Sequence, residues 1–369
     1  MSKNSFKFSD KADEADEWSA LREHGLGDIW HHAEAWHEHG SSDLFGPAVP
    51  MVGLASWNDG AFLLTGVGAT GGGFGATTGG AGTGGTTVTP GGTTGAAATK
   101  FVINLKYDAS AAAMPAAMKA ALAAAANYFM HLFANTETVN LTVGYGKVGT
   151  TTLGAGTLGA AGPYGITETY AAFKAQIGSH ITSADQQTVY NNMGADPTNG
   201  GKIFLATAEA KALGLLSTYT STDGIMGFAK AWSSTNTSGV KWDYDPSNGI
   251  TAGNYDFYGV ALHEIAHALG RIAILGSPAG QYSAMDLFRY SGVDANGNGV
   301  HSLKQTTPAY FSIDGGKTNL DWYSTTSDLG DWAASAGNDA NNAYAASGVV
   351  NSFTHTDVVQ MNALGFALL

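Results

Sequence analysis

The residues best equipped to do chemistry lie in HEIAHALGRIA, residues 263–273. His263 and His267 are four apart, so on an α-helix their imidazoles share one face and can chelate a single cation. Glu264 is rotated by about 100° from that pair, which places its carboxylate to take a proton from a water at the cation. Zinc suits the donors, because imidazole is a good zinc ligand and catalytic zinc sites keep three protein ligands and a water. The expected reaction is attack of metal-activated water on a carbonyl, with Glu264 as general base; the competing reading is a buried structural histidine pair. Glu264 is also the only glutamate beyond Glu209.

Such a pair needs a rigid helix. Val260, Ala261, Leu262, Ile265, Ala266 and Leu269 supply an apolar face, and Gly270 is a helix stop, which predicts a helix over about 258–269. Upstream, hydrophobic patterning predicts strands at 101–107, 138–148, 202–207 and 224–230, and helices at 111–133, 167–177 and 184–193. Beyond the 258–269 helix the chain reads as loop-rich, closing with a short helix from about 356. Strands and helices alternate before the motif and irregular chain follows it.

The chain has 369 residues, 51 glycines, 13% charged residues and no cysteine, so disulfides and thiolate metal sites are excluded. Its net charge of -13, with 17 scattered Lys and Arg, argues against a nucleic-acid partner. No segment has the length and apolar character of a membrane span, and the N-terminus lacks the apolar core of a signal peptide. Low charge, abundant Gly, Thr, Ala and Asn, and absent cysteine nevertheless resemble exported bacterial proteins that carry an uncleaved C-terminal signal. The apolar ending MNALGFALL fits such a signal or a last core helix.

Three segments are expected: an acidic, His-rich helical stretch over 1–50, a Gly/Thr-rich linker over 51–99, and a structured domain over 100–369. His31, His32, His37 and His39 read first as part of a soluble helix and second as metal ligands. By position and composition, residues 1–50 are a candidate pro-segment that inhibits the site in the same chain. DANGNGVHSLKQ, residues 294–305, offers Asp294, Asn296 and Asn298 as calcium oxygens, but Gln305 replaces the bidentate glutamate; an Asn-Gly turn is the favoured reading over Ca2+.

HEIAHALGR, preceded by WDYDPSNGITAGNYDFYGVAL and followed by SAMDLFRYSG, AYFSIDGGKTNL and SDLGDW, resembles a bacterial family of secreted zinc metallopeptidases of the zincin type, close to metzincins. FVINLKYD, the alanine-rich helix, TVNLTVGYG and ATAEAKALGL extend the likeness over about 100–369. The resemblance implies an α+β fold with a mixed twisted sheet over the active-site helix, a loop-rich C-terminal half, and a cleft below the sheet's edge. It implies a secreted Zn2+-dependent endopeptidase acting on protein or peptide substrates.

Metzincins read HExxHxxGxxH, or Asp at the last place; here Gly270 is present but Ala273 stands where the third ligand falls. Asp286, in YSAMDLFRY, is the first candidate to complete the site, with a salt bridge to Arg271 or Arg289 as its competing role. His301 is second, and Asp294, Asp314, the aspartates of 321–339, His355 and Asp357 remain open. By the same resemblance Met285 reads as a methionine turn or as plain core, and Tyr282 or Tyr290 as a hydrogen-bond donor to the oxyanion. The alternative function, favoured by Ala273 and by the low-complexity linker, is a non-catalytic surface or matrix protein on a degenerate zincin scaffold.

Overall fold

A computed structural model describes residues 100–277 and 280–369, together with the backbone of Leu54–Ala55 and Phe62–Val67. The chain divides into units of residues 1–51 and 52–369, and everything described lies in the second. The expected helices and histidine cluster of residues 1–50, and most of the 51–99 linker, lie outside the described residues.

Two short strands come first, β1 (Leu54–Ala55) and β2 (Phe62–Val67). They fall inside the stretch expected to be linker and correct its first part: FLLTGV is a β-prone run that pairs on both sides. Next come β3 (Val102–Tyr107), helix α1 (Ala116–Leu132) and β4 (Thr138–Tyr145). α1 starts later than the composition suggests, because Ala109–Ala113 form a 3-10 turn and Pro115 ends up as the N-cap. Met118, Leu122, Ala125, Ala126 and Phe129 form its buried stripe, at the spacing of one helix face.

Two strands follow that patterning did not announce, β5 (Thr157–Pro163) and β6 (Gly165–Thr169). They lead to α2 (Tyr170–Ser179), α3 (Ala184–Asn192), β7 (Lys202–Ala206), α4 (Thr207–Ala212) and β8 (Gly224–Phe228). The main sheet has six strands, β2, β5, β8, β4 and β3 in that order with a short strand β9 (Tyr344–Ala346) outside β2. β3, β4 and β8 are parallel neighbours, whereas β5 runs antiparallel to β8 and to β2. The sheet is therefore mixed, and the chain belongs to the α+β class.

Helix α5 (Phe257–Leu269) carries the histidine motif and lies against β5, β8, β2 and α1. Every residue of α5 except Tyr258 is buried, and each fully buried Val, Leu, Ile or Phe contributes roughly 1.5–3 kcal/mol. Asp256 caps its start, accepting the Gly259 N–H at 3.1 Å through Oδ1 and the Asn351 N–H at 2.9 Å through Oδ2. Gly270 ends it at φ +125°, and a Cβ there would meet the buried Glu209 side chain at 2.3 Å.

Beyond α5 the chain is loop-rich, as expected, with a four-stranded sheet containing Arg289–Val293 and Gly299–His301 and a final helix, α6 (His355–Ala363). Among the described residues no helix is long and apolar enough to cross a membrane.

Candidate metal centre

The fully buried α5 delivers His263, Glu264 and His267 into the interior with no exposed surface on any of them. The two imidazoles meet edge to face, their Nε2 atoms 2.8 Å apart. His263 Nδ1 lies 2.9 Å from the Ala340 carbonyl and His267 Nδ1 lies 2.6 Å from the Arg271 carbonyl. A carbonyl can only accept, so both Nδ1 atoms carry hydrogen and both Nε2 atoms of the neutral rings present lone pairs to each other.

The third group is Asp331. Its Oδ1 is 3.2 Å from His267 Nε2 and its Oδ2 is 3.7 Å from His263 Nε2. Among the described residues, His263, His267 and Asp331 form the one group of three side chains able to hold a metal ion. Ligands about 2.1 Å from a tetrahedral zinc are roughly 3.4 Å from one another. The observed separations of 2.8, 3.2 and 3.7 Å bracket that figure, so the donor set fits such an ion.

Asp331 is held by irregular chain. Its backbone carbonyl accepts the Ser324 N–H at 2.7 Å, and the next residue, Trp332, is wholly buried and donates its indole N–H to Asp357 at 2.7 Å. Arg271 donates to Asp331 Oδ1 at 3.1 Å and stacks over the Trp332 ring at 4.6 Å. One residue therefore orients two of the three donors: the Arg271 carbonyl sets the His267 ring and its guanidinium sets the Asp331 carboxylate.

Burial dominates the electrostatics. It lowers His263 to about 3 against the attraction of Asp331, and lowers His267 to about 4, so both rings are neutral at physiological pH. Burial likewise raises Asp331, opposed by His263 and Arg271. Glu264 is pushed well up, first by burial and then by Asp331 and Asp328, and neither of its carboxylate oxygens has a hydrogen-bond donor among the described residues. A cluster of lone pairs and carboxylates this short of donors is the environment in which a cation would be most strongly held.

Glu264 reaches its place because β5 gives way. A Cβ on Gly159 would lie 2.5 Å from Glu264 Oε1 and 2.8 Å from its Cγ. The small residues of TLGAAGP let the helix and this side chain approach the strand, and the same small residues hid the strand from hydrophobic patterning.

Asp286 does not join the histidines. Its Oδ2 accepts N–H groups from Ile274 at 3.0 Å, Leu275 at 2.7 Å and Ser283 at 2.9 Å. It ties the chain leaving α5 to the turn after Gln281–Ser283 through one oxygen while the other has no hydrogen-bond donor among the described residues, and the structure groups Asp331, not the expected Asp286, with His263 and His267. His301 is instead stacked on Tyr290, ring centroids 4.3 Å apart. Tyr282 packs against Gly201 and Gly276, and Tyr290 against Gly299 and Gly316. The Met285 methyl lies 3.1 Å from where a Cβ on Gly330 would stand, so it packs against the residue preceding Asp331. Asp294 accepts the Asn296 and Asn298 N–H groups at 2.8 Å and the Asn298 side-chain amide at 3.1 Å, which is turn chemistry.

SDLGDW is part of the family resemblance, and Asp331 is one of several aspartates that the sequence leaves open. Nothing in its local pattern separates it from Asp328, because its distance from the motif along the chain is set by loops. Comparison with known protein families, curated proteins and solved structures finds no match.

Proposed function

We propose that the chain is a secreted zinc-dependent endopeptidase with a zincin-type fold. The observation that carries this reading is the convergence of the two His Nε2 atoms and Asp331 on one buried point, with Glu264 following on the same helix. His263, His267 and Asp331 would hold the ion. A bound zinc supplies Lewis acidity, polarising a carbonyl and bringing the pKa of a coordinated water to about 7.

The chain's own groups do the rest. Ala340 and Arg271 carbonyls fix the tautomer of both rings, so that Nε2 is the donor atom in each. With an ion held by those residues Glu264 would be ionised, and its carboxylate would accept a proton from the attacking water and return it to the leaving amine. Arg271 neutralises part of the Asp331 charge and holds its orientation. The rival reading, a non-catalytic surface or matrix protein, rests on Ala273 and the low-complexity linker; the Asp331 carboxylate beside His267 supports the peptidase reading over it at the first of these.

The test is zinc content and casein cleavage for the wild-type chain and for Glu264→Gln. Zinc bound at one per chain in both, with cleavage reduced by 10²–10⁴-fold in the variant, is expected for loss of a general base. Absence of zinc from both, or equal cleavage, rejects the proposal.

A further inference from the structure

The short helix α4 is wholly buried, yet it carries two ionisable side chains, Glu209 and Lys211. They are served very differently. Lys211 donates to Asp223 Oδ2 and to the Thr138 carbonyl, both at 2.7 Å, and the Thr207 hydroxyl donates to the Asp223 carbonyl at 3.0 Å. These bonds pin α4 to the first residue of β4 and to the residue before β8. Burial holds the Glu209 carboxyl well above the usual range, opposed by one backbone bond in which Oε2 accepts the Ala206 N–H at 2.7 Å. Its Oε1 has no hydrogen-bond donor among the described residues, and a carboxyl so buried without a cation beside it is neutral.

Glu209 lies against Gly270, the residue that ends α5. A Cβ on Gly270 would overlap Glu209 Cδ and Cγ and stand 2.7 Å from Oε1, so the carboxyl fills the space that a side chain at 270 would need. Gly270 is the pivot of a tight turn. Its N–H donates to the His267 carbonyl at 3.0 Å, its carbonyl accepts the Ile272 N–H at 2.8 Å, and the Arg271 N–H returns to the Ala266 carbonyl at 3.0 Å. That turn brings the Arg271 carbonyl to 2.6 Å from His267 Nδ1 and sends the guanidinium to Asp331. A glycine at φ +125° has the freedom to make the turn and no side chain of its own to fix it, so the turn depends on what packs behind it.

We propose that Glu209 is a positioning residue of the metal centre: standing on α4, it braces Gly270 and so keeps the Arg271 carbonyl where it turns the His267 ring with Nε2 towards the ion. The proposal rests on the reading of His263, His267 and Asp331 as metal ligands and extends their support outward to the sheet. The route runs from β4 and β8 through Lys211 and Asp223 to α4, from Glu209 to Gly270, and from Arg271 to His267. Position 209 then requires length and a neutral acceptor. A side chain one methylene shorter withdraws from Gly270, whereas an amide of equal length does not. His263 stands outside this route, because its Nδ1 donates to the Ala340 carbonyl on a different loop.

The test uses the full chain carrying Glu209→Gln, Glu209→Asp or Glu209→Ala. Three quantities are read for each: zinc affinity by competition with a chromophoric chelator, the ring tautomers of His263 and His267 by nitrogen–proton NMR of the histidine-labelled, zinc-free protein, and unfolding of the zinc-free protein by denaturant. His263→Asn and His267→Asn assign the two ring spectra.

Glu209→Gln should match the wild type in zinc affinity and keep both rings protonated at Nδ1. Glu209→Asp and Glu209→Ala should bind zinc roughly 10–100-fold more weakly, the effect of losing outer support for a ligand, and should show mixed tautomers at His267 alone. A loss of stability with zinc affinity and both tautomers unchanged overturns the proposal, since Glu209 is then only part of the core. Equal disturbance of His263 and His267, or a weakened Glu209→Gln, overturns it as well. Should Glu209→Ala fail to fold, Glu209→Asp against Glu209→Gln decides by the same criteria. If the wild type binds no zinc, the metal reading fails, and the His267 tautomer of the zinc-free chain still judges whether Glu209 sets that ring.

Discussion

Asp286 and Asp331 are two wholly buried aspartates, both downstream of the histidine helix, and their surroundings differ in one respect. Around Asp286 the backbone turns inward, so three N–H groups converge on one oxygen. Each keeps one oxygen without a hydrogen-bond donor among the described residues, Oδ1 of Asp286 and Oδ2 of Asp331, but around Asp331 the chain presents one guanidinium and two imidazole lone pairs. A carboxylate surrounded by backbone donors is a structural clasp; one surrounded by other acceptors is half of a cation site. Donor supply, more than proximity in sequence to HEIAH, separates the two roles.

The largest effect should come from the acceptor-rich side. Asp331→Ala removes one of three metal donors, and zinc affinity should fall roughly a thousandfold, about 4 kcal/mol. Competition with a chromophoric chelator measures it, and unchanged affinity would end the distinction drawn here. Asp286→Ala should show the complementary pattern. Zinc affinity of the folded protein should hold, while stability falls by about 3 kcal/mol, since three buried N–H groups lose their acceptor at about 1 kcal/mol or more each. Denaturant unfolding of the zinc-free protein reads this without interference from metal linkage.

Arg271 tests whether Asp331 is merely near the histidines or is held there. Arg271→Met keeps an unbranched apolar side chain but removes the guanidinium, and with it both the stacking on Trp332 and the donor to Oδ1. Loss of such outer support should weaken zinc binding about 10–100-fold. Because the Arg271 carbonyl still accepts from His267, the loss should be smaller than that of Asp331→Ala.

The legible parts of this molecule were those with local causes. The motif helix was readable because its apolar face, its ligand spacing and its glycine stop all lie within 256–270, and the structure gives Phe257–Leu269. β4 and β7 were readable from their runs of Val, Leu, Ile and Phe. β5 was not, because Gly159 and its small neighbours are selected by contact with Glu264 rather than by strand propensity. Asp331 was not singled out because the loop that carries it is placed by Trp332, Asp357 and Arg271, contacts far apart in sequence. Asp286 was attractive for its position along the chain, and nothing in YSAMDLFRY reveals that three N–H groups turn toward it.

The smallest effect is the one in which the histidine pair and Asp286 should differ in sign. Burial holds His263 at about 3 and His267 at about 4, below the 6.5 of the unfolded chain. As pH falls below 6.5 the unfolded state takes up protons that the metal-free folded state refuses, so stability is lost on acidification until the folded values are passed. Each histidine should contribute a loss of about 1 kcal/mol between pH 6.5 and 5.5. Asp286 is raised by burial, against the pull of Arg289 and its three backbone donors. Its folded state binds the proton first, so its contribution is present at low pH and disappears as pH rises through the folded value. Chemical unfolding of chelator-treated wild type and of His267→Asn over pH 5–7 isolates the histidine contribution as the difference between the two curves. That difference should move against the wild type on acidification, whereas the corresponding difference for Asp286→Ala, followed on down towards the ordinary carboxylate range, should move in its favour. If both move the same way, burial of neutral imidazoles is not what sets the acid response of the histidine pair.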